Sequence, residues 1–384
     1  MRLNASRPQL AIIQQRMPQY MVPFHYGLRR ALDQRGIGYV LVHGSAHGDM
    51  TSKQDEDAVD FAHVRDNHVL RVGSRELTWQ ACYDLVRSAD LVIGDQGTSR
   101  LTNYPFWLRN LAGRQRFALW GHGVNFQRSN ASHIGEAIKR FMSRRVHWWF
   151  VYNETSAAVV RELGFPPDRI TNVQNTIDTR RLRQLVDGTT QEDILEIRRR
   201  HGLLGSNVCA YLGAIYEGKR LAYLLTACDH VRAEVDDFEM LFLGGGPQED
   251  AVIEAAANRP WMHYVGPTFG PDKAHYLRLA KLLLMPGVVG LVILDSFASE
   301  TPLITLADSE HGPEIEYLLD GSNGRMLPAG TDCVEYANEV AVLLRDENAR
   351  QRLVGGGRVA TEQYTIEAMV ERFANGVQRA LAAR

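Results

Sequence analysis

The chain has 384 residues, 45% apolar and 23% charged, which is enough material for the cores of two domains. Its 43 Lys and Arg against 45 Asp and Glu leave a net charge of −2, whereas a general nucleic-acid binder carries a basic excess. Four widely spaced cysteines (Cys82, Cys209, Cys228, Cys333) with no C-x-x-C pair argue against a disulfide framework and a cysteine-ligated zinc site.

In chain order, β-rich runs fall at 10–14 (LAIIQ), 39–43, 90–94, 116–120, 147–152 and 169–174. A second series follows at 208–213, 238–244, 263–266, 281–286, 302–306 and 324–328. Amphipathic stretches lie between them. Over 24–35, Phe24, Leu28 and Leu32 share one helical face and Gly36 stops the helix. Strand and helix in alternation predict parallel sheets with helices on both faces, twice over. The expected organisation is an N-terminal domain over 1–190 and a C-terminal domain over 205–360. The hinge is expected around 185–206, and a terminal helix over 363–384 is expected to pack on either half. The most apolar stretch, 282–294 (LLLMPGVVGLVIL), is interrupted by Pro286 and two glycines and is no membrane span. The first residues hold only a four-residue apolar run, too short for a secretion signal. The chain is therefore expected in the cytoplasm.

In doubly wound sheets ligands bind beyond the carboxyl ends of the strands, so residues just after each strand are the candidates. After the first strand of the second series, Gly213 permits a close turn, and Lys219 with Arg220 stands at the next helix start. Such a pair is either solvated or a diphosphate site, since a helix N-terminus and cations both favour anions. Gly244 and Gly245, in LFLGGGP, make a turn that admits a ligand near the backbone. Further on, Pro286 ends a strand and the Gly287-Val288-Val289-Gly290 loop leads through Leu291 into an apolar helix bearing one carboxylate, Asp295. A carboxylate in apolar company needs a partner, which can be a helix N–H, a cation or ligand hydroxyls.

The order and spacing of YLG…GKR, LGGGP, YVGP, MPGVVGLVILDSFASETPLIT and HGPEIEYLLDGSNGRML resembles the donor-binding half of retaining glycosyltransferases of family 4, which have the GT-B fold. The likeness runs from 208 to about 330. It is weaker in the first half, where LWGHGVNF (119–126) and 156–178 are similar. The resemblance implies two doubly wound Rossmann-like domains facing across a cleft. It also implies that Lys219 holds a nucleotide-sugar diphosphate, that Asp295 binds the ribose, and that 287–290 lies against sugar and phosphates. The family's signature has two glutamates separated by seven residues. Here those positions are Gly287 and Asp295, and Ala214 stands where an arginine is usual. Backbone N–H groups of the loop and Arg220 are the candidate replacements.

In the first half His122, between Gly121 and Gly123, follows a strand and is chosen for contact with the reacting sugar; a structural histidine in a tight turn fits the position equally. Asp95, Asn125 and Arg16 occupy comparable strand ends and are candidates for the acceptor or cleft. No D-x-D metal-binding pair stands out, so cationic side chains and helix dipoles are expected to neutralise the leaving diphosphate, with no metal or other cofactor. Residues 101–150 hold eight Lys and Arg, one acid (Glu136) and four tryptophans, Trp107, Trp120, Trp148 and Trp149. This region is either core plus a solvated helix face, or a surface for anionic lipid formed by Trp107 and the 133–145 helix.

The function expected from these features is retaining, metal-independent sugar transfer in surface polysaccharide assembly. The donor is expected to be UDP- or GDP-linked and the acceptor a glycan or lipid-linked molecule. A nucleotide-sugar epimerase and a catalytically inactive nucleotide-sugar-binding partner are the rivals.

Overall fold

The computed structural model describes residues 7–45, 56–73, 75–123 and 140–383. Two compact units result, one from residues up to Asn175 joined by Ile366 onward, the other from Thr176–Thr365.

The first unit contains β1 (Gln9–Gln14), β2 (Gly38–His43), β3 (His63–Val64), an antiparallel hairpin of β4 (Asn67–Val72) and β5 (Arg75–Gln80), β6 (Leu91–Asp95), β7 (Arg116–Gly121), β8 (Trp148–Val151) and β9 (Ile170–Asn172). Seven of these form one parallel sheet, ordered β3-β2-β1-β6-β7-β8-β9. The central strands are apolar throughout because both faces are covered. Leu10 and Ile12 enter one core with Trp120, Trp148 and Phe150, while Ala11 and Ile13 enter the other with Phe117 and Trp149. The helix Ile366–Ala382 covers the first of these faces. Its Ile366, Met369, Val370, Phe373 and Val377 follow the helical repeat, and Phe373 stacks on Phe150 with ring centroids 4.4 Å apart.

The second unit begins with helices Thr179–Asp187 and Gln191–His201, then β10 (Asn207–Leu212), β11 (Phe238–Leu243), β12 (Met262–Tyr264), β13 (Leu282–Leu284), β14 (Leu303–Leu306) and β15 (Arg325–Leu327). All six strands are parallel, ordered β12-β11-β10-β13-β14-β15. The order reverses between β10 and β13, which opens a crevice at their carboxyl ends.

The boundary lies at Asn175–Thr176, ahead of the 185–206 stretch expected as the hinge. The Thr179–Asp187 helix packs on the Gly270–Leu279 and Val292–Ser299 helices, and Arg183 is ion-paired with Glu300. Residues 176–190 therefore belong with the second unit. The twelve expected strands all form, and β3 and the β4–β5 hairpin are additional to them.

Candidate functional site

The loops after β10 and β13 meet at the crevice of the second sheet. After β10, Gly213 has φ +137° and its carbonyl lies so close to Gly244 that a Cβ there would sit 1.9 Å from the oxygen. Gly244 itself has φ +155°, a conformation suited to glycine. Ile215 N–H donates to Gly245 O at 2.9 Å, so the LGGGP turn is fitted against the 213–215 loop.

Lys219 ends the short turn Glu217–Lys219 and is only 8% exposed. Its ammonium donates to Val288 O and lies 5.6 Å from the Tyr216 ring centroid. Val288 N–H returns a bond to Gly218 O at 2.9 Å. Gly287 is pressed against this turn. A Cβ at 287 would lie 2.3 Å from the Lys219 carbonyl carbon, 2.4 Å from its Cα and 2.5 Å from Gly218 O. No side chain fits there without moving backbone, so the loop that accommodates Lys219 requires glycine. Arg220, at the start of helix Leu221–Glu234, is turned to Asp308, with 2.9 Å between Nη1 and Oδ1. That ion pair anchors it to the loop after β14.

Val289 is fully buried, and Gly290 and Leu291 remain partly exposed at the entry to helix Val292–Ser299. In that helix Asp295 is 9% exposed and accepts from Lys273 Nζ at 2.8 Å. The partner that its burial demands is a cation on the neighbouring Gly270–Leu279 helix. Glu314, buried in the turn Pro313–Tyr317, would lie 3.6 Å from a Cβ at Gly290. Gly213, Lys219, Arg220, Gly244, Gly245, the 287–291 stretch and Asp295 thus all occupy loops or the helix start beyond the strand ends of this sheet.

In the first unit, Arg16 follows β1, Asp95 ends β6 and His122 follows β7. Asp95 Oδ2 accepts from Gln15 N–H at 3.0 Å, which ties the ends of β6 and β1 together. Burial pushes the Asp95 carboxyl up, against the pull of Arg100 and the Gln15 bond. Ile13, Gln15, Thr78, Gln80, Asp95 and Arg100 line a small cavity there. The His122 ring lies 4.3 Å from that of Tyr152, and burial lowers its pKa to about 4, so it is neutral near pH 7. Gln96 connects the two strand ends, since its Oε1 accepts from Gly123 N–H at 2.8 Å. Asn125 lies outside the described residues, as do Arg128, Glu136 and Lys139.

The basic region differs from expectation in one respect. Trp107 is 8% exposed, packed edge-on against Phe141, and Trp120, Trp148 and Trp149 are buried, so no tryptophan of this region forms a surface. Leu108, Leu111 and Phe141 are exposed instead, among Arg114, Arg140, Arg144 and Arg145. Among the described residues no helix is long and apolar enough to cross a membrane, and no three His, Cys, Asp or Glu are grouped to hold a metal ion.

Two parallel α/β units with glycine-rich turns at the strand ends define the GT-B fold. The fold is similar to that of Anabaena HepE solved with UDP-glucose (TM-score 0.69, 13% identity, 96% of this chain and 99% of that one). Residues 206–346 match the family described as "Glycosyl transferases group 1". This chain is 28% identical over 166 residues to a phosphatidyl-myo-inositol mannosyltransferase of Mycobacterium leprae (strain TN), covering 42% of this chain and 43% of that protein. It is 25% identical over 203 residues to an alpha-D-kanosaminyltransferase of Streptomyces kanamyceticus, covering 51% of each. The chain thus spans about half the length of the curated relatives it matches.

Proposed function

We propose that this protein is a retaining, metal-independent glycosyltransferase. It moves a sugar from a UDP- or GDP-linked donor to a glycan or lipid-linked acceptor in surface polysaccharide assembly. The observation that carries this reading is the convergence of Lys219, the 287–290 loop and Asp295 at the crevice of the second sheet, within the stretch that matches the group 1 family. Support for a nucleotide-sugar donor comes from structural neighbours, among them HepE solved with UDP-glucose.

In this reading Lys219 and Arg220 offset charge on the departing diphosphate, the entry to helix Val292–Ser299 meets the phosphates and sugar, and Asp295 accepts from the ribose hydroxyls. The bond from the anomeric carbon to the phosphate oxygen breaks and a bond to the acceptor oxygen forms on the same face. The acceptor's proton passes to the leaving phosphate. Neutral His122 offers hydrogen bonding to sugar hydroxyls without adding charge. The first unit is proposed to rest on the anionic inner face of the cytoplasmic membrane. Its support is the exposed Leu108, Leu111 and Phe141 beside arginines, in described segments 101–123 and 140–153 that contain no Asp or Glu.

A panel of UDP- and GDP-sugars incubated with candidate acceptors tests the reaction. Transfer with retained anomeric configuration is expected, and Lys219→Ala should lower turnover about 10²–10³-fold by loss of charge stabilisation. Epimerisation without acceptor would establish the epimerase, and tight binding without turnover the inactive partner. Near-normal turnover by Lys219→Ala would show that the diphosphate lies elsewhere.

A further inference from the structure

His311 lies in the loop after β14, where both ring nitrogens meet backbone. Nε2 is 2.6 Å from Leu306 O, and Nδ1 is 3.2 Å from the Val289 amide nitrogen. A carbonyl only accepts and an amide N–H only donates. Both bonds therefore coexist in a single state, the neutral ring with its proton on Nε2. The same loop grips the 286–290 turn twice more, through Gly312 N–H to Val289 O at 2.8 Å and the Ser309 hydroxyl to Pro286 O at 2.9 Å. Lys219 and Gly218 bind Val288 from the other side. Of these bonds to the turn, the one at Nδ1 is abolished when the imidazole takes a second proton.

We propose that His311 is a positioning residue for the 287–290 turn, a clasp that keeps it shaped for a nucleoside diphosphate while the ring is neutral and lets go when the ring is protonated. This rests on the reading of the turn as part of the donor site. Lys219 and Arg220 face the ring from the 217–220 turn, Asp308 faces it from its own loop, and the Glu314 carboxylate lies close to Gly312. Burial is the largest influence and lowers the His311 pKa. The two cations add to it, and the Leu306 bond and Asp308 oppose it. The clasp is therefore closed at neutral pH and weakens as pH falls below the ordinary imidazole range.

Calorimetric titration of UDP, and of GDP if UDP does not bind, tests this with wild type, His311→Asn and His311→Leu at about pH 8 and about pH 5.5. Asparagine places an amide oxygen near the Nδ1 position and does not titrate; leucine offers no acceptor. At the higher pH His311→Asn should bind within about threefold of wild type and His311→Leu about tenfold more weakly, the scale of one hydrogen bond. At the lower pH wild type should weaken relative to His311→Asn, by less than the full loss seen in His311→Leu because burial holds the imidazole below its ordinary range; titration of the ligand's own phosphates cancels in that ratio. A wild-type to His311→Asn ratio unchanged between the two pH values would overturn the proposal. So would a His311→Leu protein of native melting temperature that binds like wild type. A wild type that gains on His311→Asn in acid would also overturn it, because a cationic ring would then be acting on the diphosphate directly. If wild type binds neither nucleotide at either pH, the donor-site reading fails and takes the clasp with it.

Discussion

Gly287→Ala is a one-methyl test of the turn that holds Lys219. The added carbon would meet the Lys219 carbonyl carbon at 2.3 Å and its Cα at 2.4 Å, both backbone atoms that no rotamer change can move. Separating the two loops strains the packing, at about 1–3 kcal/mol for an overfilled site. It also weakens the bonds joining Val288 to Gly218 and Lys219, at about 1 kcal/mol for each one lost. With one of the two bonds lost, the total is about 2–4 kcal/mol. For the 190 residues of Thr176–Thr365 this corresponds to a fall in melting temperature of about 4–16 °C. Displaced Lys219 should also loosen UDP binding about tenfold, or 1.4 kcal/mol. Differential scanning fluorimetry and calorimetric titration read the two effects. A variant that melts within about 1 °C of wild type and binds UDP equally would refute the reasoning, since the clash would then have been relieved freely. Gly287→Glu should by the same geometry be less active than wild type.

Asp295→Asn should weaken UDP binding about tenfold, the scale of a hydrogen bond to a charged acceptor, and an unchanged dissociation constant would make its pairing with Lys273 purely structural. The first unit should lose stability in acid. His25 is fully buried between Tyr39 and Gln14, and burial lowers its pKa from 6.5 to about 3. The unfolded chain therefore takes up the proton first, and stability falls as pH drops below 6.5, by about 2 kcal/mol at pH 5. Urea midpoints at pH 7 and 5 check this, and an equal pH dependence in His25→Gln would reject it. Liposome co-sedimentation should need anionic lipid and decline with salt, and the combined Leu111→Ser and Phe141→Ser substitutions should weaken it. Equal recovery on neutral vesicles would remove the lipid surface from the functional reading.

The parallel strands were legible because burial on both faces makes each a short apolar run, as in LAIIQ or FEMLFL. The β4–β5 hairpin was not. Val69, Leu70 and Val72 are exposed and pair only along the hairpin, so NHVLRV has no alternating inner face. Gly213, Gly287 and Asp295 could be picked out because their places after strands are sequence-local. Lys273 and His311 could not. A lysine in GPDKAH reads as any helix cation until the fold brings Asp295 beside it, and His311 is given its task by backbone atoms of Val289, 22 residues away. Trp107 was misplaced because a short amphipathic helix leaves its rotation open, and in Asn103–Leu111 the inward face holds Phe106 and Trp107 while Leu108 and Leu111 point out.

The helix Ile366–Ala382 imposes an order of events on biosynthesis. Leu10, Ile12, Trp120 and Phe150 leave the ribosome long before Met369, Phe373 and Val377, which cover them in the finished protein. At about 5–20 residues per second, translating the intervening Thr176–Thr365 takes about 10–40 s. Through that interval one apolar face of the first sheet has only the Val22–Gln34 helix as cover, and the rest is a ready binding surface for a chaperone and a site for adhesion between nascent chains. A stop codon anywhere ahead of Ile366 would make that interval permanent, even with every residue of the second unit intact.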